Sequence, residues 1–146
     1  MSIYVDNAAT TALSDTALAA MAPCFQEVYG NPSSLHSPGQ RAAEKLAQAR
    51  EIFARRLNAA PREITFTSGG SEADTQALRS AAALGERKGK RHIISTKFEH
   101  HAVLHTLEAL EREGFEVTLL DIPPDGVVTA EQVRSALRPE TCLVSV

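Results

Sequence analysis

Hydrophobic positions along the chain recur with two different periods, and the changes from one to the other mark its elements. Over residues 14–28, Leu18, Met21, Phe25 and Val28 fall at helical spacing behind Ser14 and Asp15, which predicts a first helix. Pro23 lies inside that stretch and predicts a kink or break. Gly30-Asn31-Pro32-Ser33-Ser34 reads as a loop, because each of these residues favours turn geometry or local hydrogen bonds. From about Pro38 to Leu57 a long amphipathic helix follows, with Ala42, Leu46, Ala49, Phe53 and Leu57 on one stripe and Arg and Glu opposite.

Beyond Asn58 the pattern alternates. Glu63-Ile64-Thr65-Phe66-Thr67 predicts a strand, followed by a glycine turn and a helix through about Ala83. Ile93 to Thr96 predicts a strand, Ala102 to Glu113 a helix carrying Val103, Leu107 and Leu110, and Glu116 to Leu120 a further strand. Thr129-Ala130-Glu131-Gln132 matches a capping box and opens a helix ending near Arg138; Thr141 to Val146 is a last strand. Strands alternating with helices of this size predict an α/β fold with a mainly parallel sheet. The apolar run Cys142-Leu143-Val144-Ser145-Val146 has no cap after it. It reads either as a sheet awaiting more chain or a partner, or as a short edge strand needing neither.

Composition narrows the class. At 43% hydrophobic and 23% charged residues over 146 positions, the chain has the means for one real core and the make-up of a soluble protein. A net charge of -3 leaves no footprint for nucleic acid. No apolar run has membrane-spanning length, and Met1-Ser2-Ile3-Tyr4-Val5-Asp6 lacks the pattern of a signal peptide. Cys24 and Cys142 are far apart, in a predicted helix and a predicted strand, and read as inert reduced thiols of a cytoplasmic protein.

Two places carry chemistry. Thr65-Phe66-Thr67-Ser68-Gly69-Gly70-Ser71-Glu72-Ala73-Asp74 is a small-residue turn opening a helix. Its unpaired N–H groups favour an anion, Gly69 and Gly70 allow close approach, and the Ser71 hydroxyl adds a donor. It is neither a Walker A loop nor a dinucleotide fingerprint. The plain structural alternative makes Ser71 and Asp74 a capping box. Glu99-His100-His101 follows the Ile93–Thr96 strand, on the edge where open α/β sheets bind ligands. His100 could stack on a flat heteroaromatic ring or relay protons, or it could simply cap the next helix. His101 and His105, at i and i+4, could share a helical face as zinc ligands do, but HExxH is absent and no third ligand is spaced for a zinc centre. The reading therefore includes no metal.

Four motifs together resemble the cysteine desulfurases, class V aminotransferase-like enzymes of fold type I that use pyridoxal 5'-phosphate. They are Tyr4 to Thr11, Gly30-Asn31-Pro32-Ser33-Ser34-Leu35-His36, Phe66 to Ala73, and Glu99-His100 with Ala102-Val103-Leu104. The Asn-Pro-Ser-Ser-Leu-His stretch is most similar to the branch serving iron–sulfur cluster assembly. The resemblance implies an incomplete aspartate aminotransferase-like large domain over residues 14–146, with residues 1–13 forming an N-terminal arm of the small domain. It implies that Gly70 and Ser71 bind the cofactor phosphate and that His100 stacks over the ring and assists proton transfer. It implies removal of sulfur from L-cysteine, giving L-alanine and a protein-bound persulfide for a sulfur-acceptor or scaffold protein, in a homodimer.

Relatives carry further machinery beyond the equivalent of Val146: an aspartate for the ring nitrogen, a Schiff-base lysine and a sulfur-accepting cysteine. Lys97 does not match the lysine motif. The isolated chain is therefore expected to be inactive until that C-terminal remainder is supplied. Another class V aminotransferase, a selenocysteine lyase, a non-catalytic phosphate-ligand module and a split subunit remain alternatives at this stage.

Overall fold

The computed structural model describes residues 3–146, so the Met1-Ser2 start lies outside the described residues. The chain divides into two compact units, residues 1–65 and 66–146.

The first unit holds helices α1 (Asp15–Gln26) and α2 (Ser37–Leu57) and a 3₁₀ turn at Pro61–Glu63. Ser14 caps α1 by accepting the Ala17 N–H at 3.2 Å, which satisfies one of the donors a helix start leaves open. Pro23 does not end α1. The helix runs three residues further, and the Pro23 carbonyl accepts from both Glu27 and Val28 as it closes. In α2, His36 is the cap, its Nδ1 accepting from Gly39 at 3.3 Å, and Asn58 closes the helix in the left-handed region at φ 52°. The apolar stripes are less covered than their periodicity suggests. Ala42 and Ala54 are buried, whereas Leu18, Met21, Phe25, Phe53 and Leu57 are exposed.

The predicted strand over 63–67 does not form. Pro61 opens a 3₁₀ turn in which the Glu63 carboxylate accepts the Ala60 N–H at 2.6 Å, and the Ile64 carbonyl accepts from Arg50 Nε at 3.2 Å. A strand needs a neighbour to hydrogen-bond, and none of the described strands lies beside this segment.

The second unit is the α/β part. It contains α3 (Gly70–Glu86), β1 (His92–Thr96), α4 (His101–Arg112), β2 (Glu116–Leu120), α5 (Ala130–Ala136) and β3 (Thr141–Val144). The strands form one parallel sheet in the order β2-β1-β3. All five residues of β1 are buried, as expected of the central strand of a parallel sheet. Leu78 and Ala82 of α3 and Val103, Leu107 and Leu110 of α4 pack with Ile93 and Phe115 into the core. The Thr129 capping box forms as predicted: Thr129 Oγ1 accepts from Gln132 N at 3.3 Å, and Gln132 Oε1 accepts from Thr129 N at 2.9 Å. The helix it opens ends at Ala136, two residues short of the expected Arg138, because Arg138 precedes Pro139 and is pushed from helical geometry.

Candidate functional site

The parallel order directs the carboxyl ends of all three strands to one edge of the sheet. At that edge β1 ends at Thr96, and residues 97–100 lead into α4. His100 is the N-cap of α4: its Nδ1 accepts the Ala102 N–H at 3.1 Å. The capping alternative is thus what the structure contains, and it has a chemical consequence. Acceptance at Nδ1 leaves the proton of the neutral ring on Nε2, so the ring is oriented and its free nitrogen is a donor. The side chain itself remains exposed.

The turn before α3 is built differently from the capping box considered above. Gly69 is the N-cap, and it has no side chain with which to cap. Glu72, in the first helical turn, instead reaches back, its carboxylate accepting the Ser68 hydroxyl at 2.6 Å and the Ser68 N–H at 2.7 Å. These two donors, the hydroxyl foremost, hold the Glu72 carboxyl below the ordinary carboxylate range. The glutamate three positions after the N-cap was a signal available in the sequence.

With the only carboxylate of the turn engaged by Ser68, the first-turn N–H groups of Gly70, Ser71 and Glu72 have no intrahelical acceptor. A Cβ placed on Gly69 or Gly70 would meet nothing within 4 Å, so the turn faces open space. This donor set, three backbone N–H groups and the Ser71 hydroxyl at a positive helix end, fits an anion the size of a phosphate.

Ser71 and His100 line one groove of about 400 Å³ along the seam between α3 and α4. Ser71, Thr75 and Arg79 form one wall at i, i+4 and i+8, and His101, His105 and Ala109 form the other at the same interval. Between them the Thr106 hydroxyl donates to the Ala102 carbonyl at 2.7 Å, so Thr75, 3.1 Å away, donates to Thr106. Arg79 reaches the Glu113 carboxylate at 3.0 Å. The structure therefore brings Ser71 and His100 together, with Gly70 immediately before Ser71 at the helix start. Thr75, Arg79 and Glu72 went unnoticed in the sequence, although the four-residue interval from Ser71 points to the first two.

Neither cysteine belongs to this groove. Cys142 packs against the core, and burial pushes its thiol up from the ordinary value. Lys97 is engaged with Asp121 at 2.5 Å. No group of three or more potential metal ligands occurs among the described residues, nor is any helix long and apolar enough to cross a membrane.

The parallel sheet, with the open glycine turn of α3 and the His100 cap of α4 at its carboxyl edge, defines an α/β protein. The chain belongs to the class-V aminotransferase family, whose pattern matches residues 3–146. It is 49% identical over 144 residues to the putative cysteine desulfurase IscS 1 of Bacillus subtilis (strain 168), covering 99% of this chain and 38% of that protein. Among solved structures it is similar to a NifS-like protein with a TM-score of 0.91 at 39% identity, covering 99% of this chain and 39% of that one. It is also similar to SspA in complex with cysteine, with a TM-score of 0.83 at 38% identity, covering 94% and 39%. These relatives are pyridoxal-phosphate enzymes. The chain spans under two fifths of their length.

Proposed function

We propose that this chain is the N-terminal part of a cysteine desulfurase, which takes sulfur from L-cysteine, releases L-alanine and leaves a persulfide on the protein. The observation that carries the reading is the groove shared by Ser71 and His100, because that chemistry needs an anion held at a fixed distance from an oriented imidazole. The solved relative bound to cysteine supports the substrate.

In this reading the N–H groups of Gly70 and Ser71 and the Ser71 hydroxyl hold the phosphate of pyridoxal 5'-phosphate. Glu72 keeps the turn in shape through Ser68. His100 lies over the ring, with Nδ1 fixed by Ala102 and Nε2 free to hand a proton to or from a group beside it. When bound, the cofactor supplies an electron sink for the carbon next to the amino group. The lysine that anchors it and the cysteine that accepts sulfur belong to the remainder of the enzyme, which pairs with a second copy and delivers sulfur to an acceptor or scaffold protein in the cytoplasm.

Titration with pyridoxal phosphate and with pyridoxal tests the reading. The 146-residue chain is expected to bind the phosphorylated form and to prefer it over nucleotides. Ser71→Ala removes a hydrogen bond to a charged group, worth about 1.5–3 kcal/mol, and should weaken binding by roughly tenfold or more while leaving pyridoxal unaffected. Equal binding of both forms, or a preference for nucleotides, would show the reading wrong. The chain alone should produce no alanine from cysteine, and production should return when the missing portion is added.

A further inference from the structure

Five histidines occur in the chain, and three of them hold side-chain hydrogen bonds among the described residues. His92 is buried, with both ring nitrogens in hydrogen bonds, and His36 and His100 each use Nδ1 to cap a helix. His101 and His105 differ: both are exposed, and neither enters a hydrogen bond or ion pair among the described residues. They stand one turn apart on α4, on the same wall of the groove, with ring centres 5.5 Å apart and planes inclined by 36°.

That spacing is within the reach of one shared metal ion. An imidazole nitrogen sits about 2.0–2.1 Å from a bound zinc ion, with the ring centre roughly 1 Å further out. Two rings aimed at one ion then have centres about 4.5 Å apart at the right angle of a tetragonal copper ion and about 5–5.5 Å apart between the tetrahedral and trigonal angles, a range two exposed side chains cross by small rotations. We propose that His101 and His105 form a two-imidazole site for a borderline transition-metal dication, Cu(II) before Zn(II), with water completing its coordination. Imidazole pairs select these ions over hard cations such as Mg(II), which demand oxygen ligands.

Two charges oppose it. The positive end of α4 lies close by, a penalty of about 0.3–1 kcal/mol at an exposed position, small against two coordinate bonds. Arg79 lines the facing wall, but its guanidinium is held against the Glu113 carboxylate and partly neutralised. The site is distinct from a closed zinc centre, which needs a third protein ligand. It does not depend on the cofactor reading above.

Calorimetric titration of the chain with Cu(II), Zn(II) and Mg(II), joined to electron paramagnetic resonance of the copper form, tests it. One equivalent of Cu(II) should bind, more tightly than Zn(II), with the signature of two imidazole nitrogens, and Mg(II) should not compete. Removing even an outer partner of a metal ligand costs about 10-fold or more in affinity, so His101→Ala and His105→Ala should each lose at least about that. Both side chains are exposed, so neither variant threatens the fold. Absence of binding by the unaltered chain, or undiminished binding by either variant, overturns the site, whatever the result with pyridoxal phosphate.

Discussion

Gly70 allows the demands of folding and of ligand binding to be told apart at one position. It is the first residue of α3, its φ is not in the left-handed region, and a Cβ there would touch nothing. On folding grounds alone, Gly70→Ala is harmless or mildly favourable, since alanine exceeds glycine by up to about 1 kcal/mol in a helix. If an anion sits against the turn, the same methyl group occupies the space the anion needs. The expected result is an unchanged or raised melting temperature together with weaker binding of pyridoxal phosphate. A variant that binds as well as the unaltered chain would mean the ligand does not approach Gly70. Ser71 and His100 could be named as candidates from residue type and order. Glu72 offered only its spacing from Gly69; its bond to Ser68 could not be read, because that serine looked like part of the anion site.

The elements show where reading a sequence succeeds and where it stops. Helices α3 and α4 and strands β1 and β2 were visible because their apolar positions face a core made by the same stretch of chain. The 63–67 segment has the composition of a strand, yet strand formation rests on a partner that local sequence does not specify. Likewise the Leu18–Met21–Phe25 stripe of α1 declares an apolar face without declaring what covers it. Close packing between elements is also invisible in sequence. Gly85 of α3 is an example: a Cβ there would lie 2.4 Å from Cys142 Cβ and 2.6 Å from its sulfur on β3. Helix propensity favours Gly85→Ala, but the clash is with a side chain rooted in the half-buried strand β3 and outweighs it. The variant should lose about 1–3 kcal/mol of stability, the usual cost of overpacking, measured by denaturant unfolding.

Besides the backbone ladders, one side chain bridges all three strands of the sheet. His92, at the start of the central strand, meets Thr141 Oγ1 of β3 at 2.7 Å through Nδ1 and Thr118 Oγ1 of β2 at 2.9 Å through Nε2. It is 1% exposed, and burial, with Arg138 adding to it, lowers its pKa below the ordinary 6.5. The sign of the effect on stability follows. An imidazole that resists protonation when folded takes up its proton more readily when unfolded, so protons favour the unfolded chain. The stability His92 supports is complete above pH 6.5 and declines as the pH falls from 6.5 toward its lowered folded value. Carboxylates titrate well below that starting point, at about 4 in the unfolded chain, so the onset belongs to imidazole. Unfolding free energy measured against pH should therefore bend downward below about 6.5, the ordinary histidine value. His92→Gln, which keeps an amide donor and acceptor among the threonines, should be less stable at neutral pH and lose that bend. If the bend persists undiminished in His92→Gln, the proton linkage lies elsewhere in the molecule and the three-strand bridge is not what responds to acid.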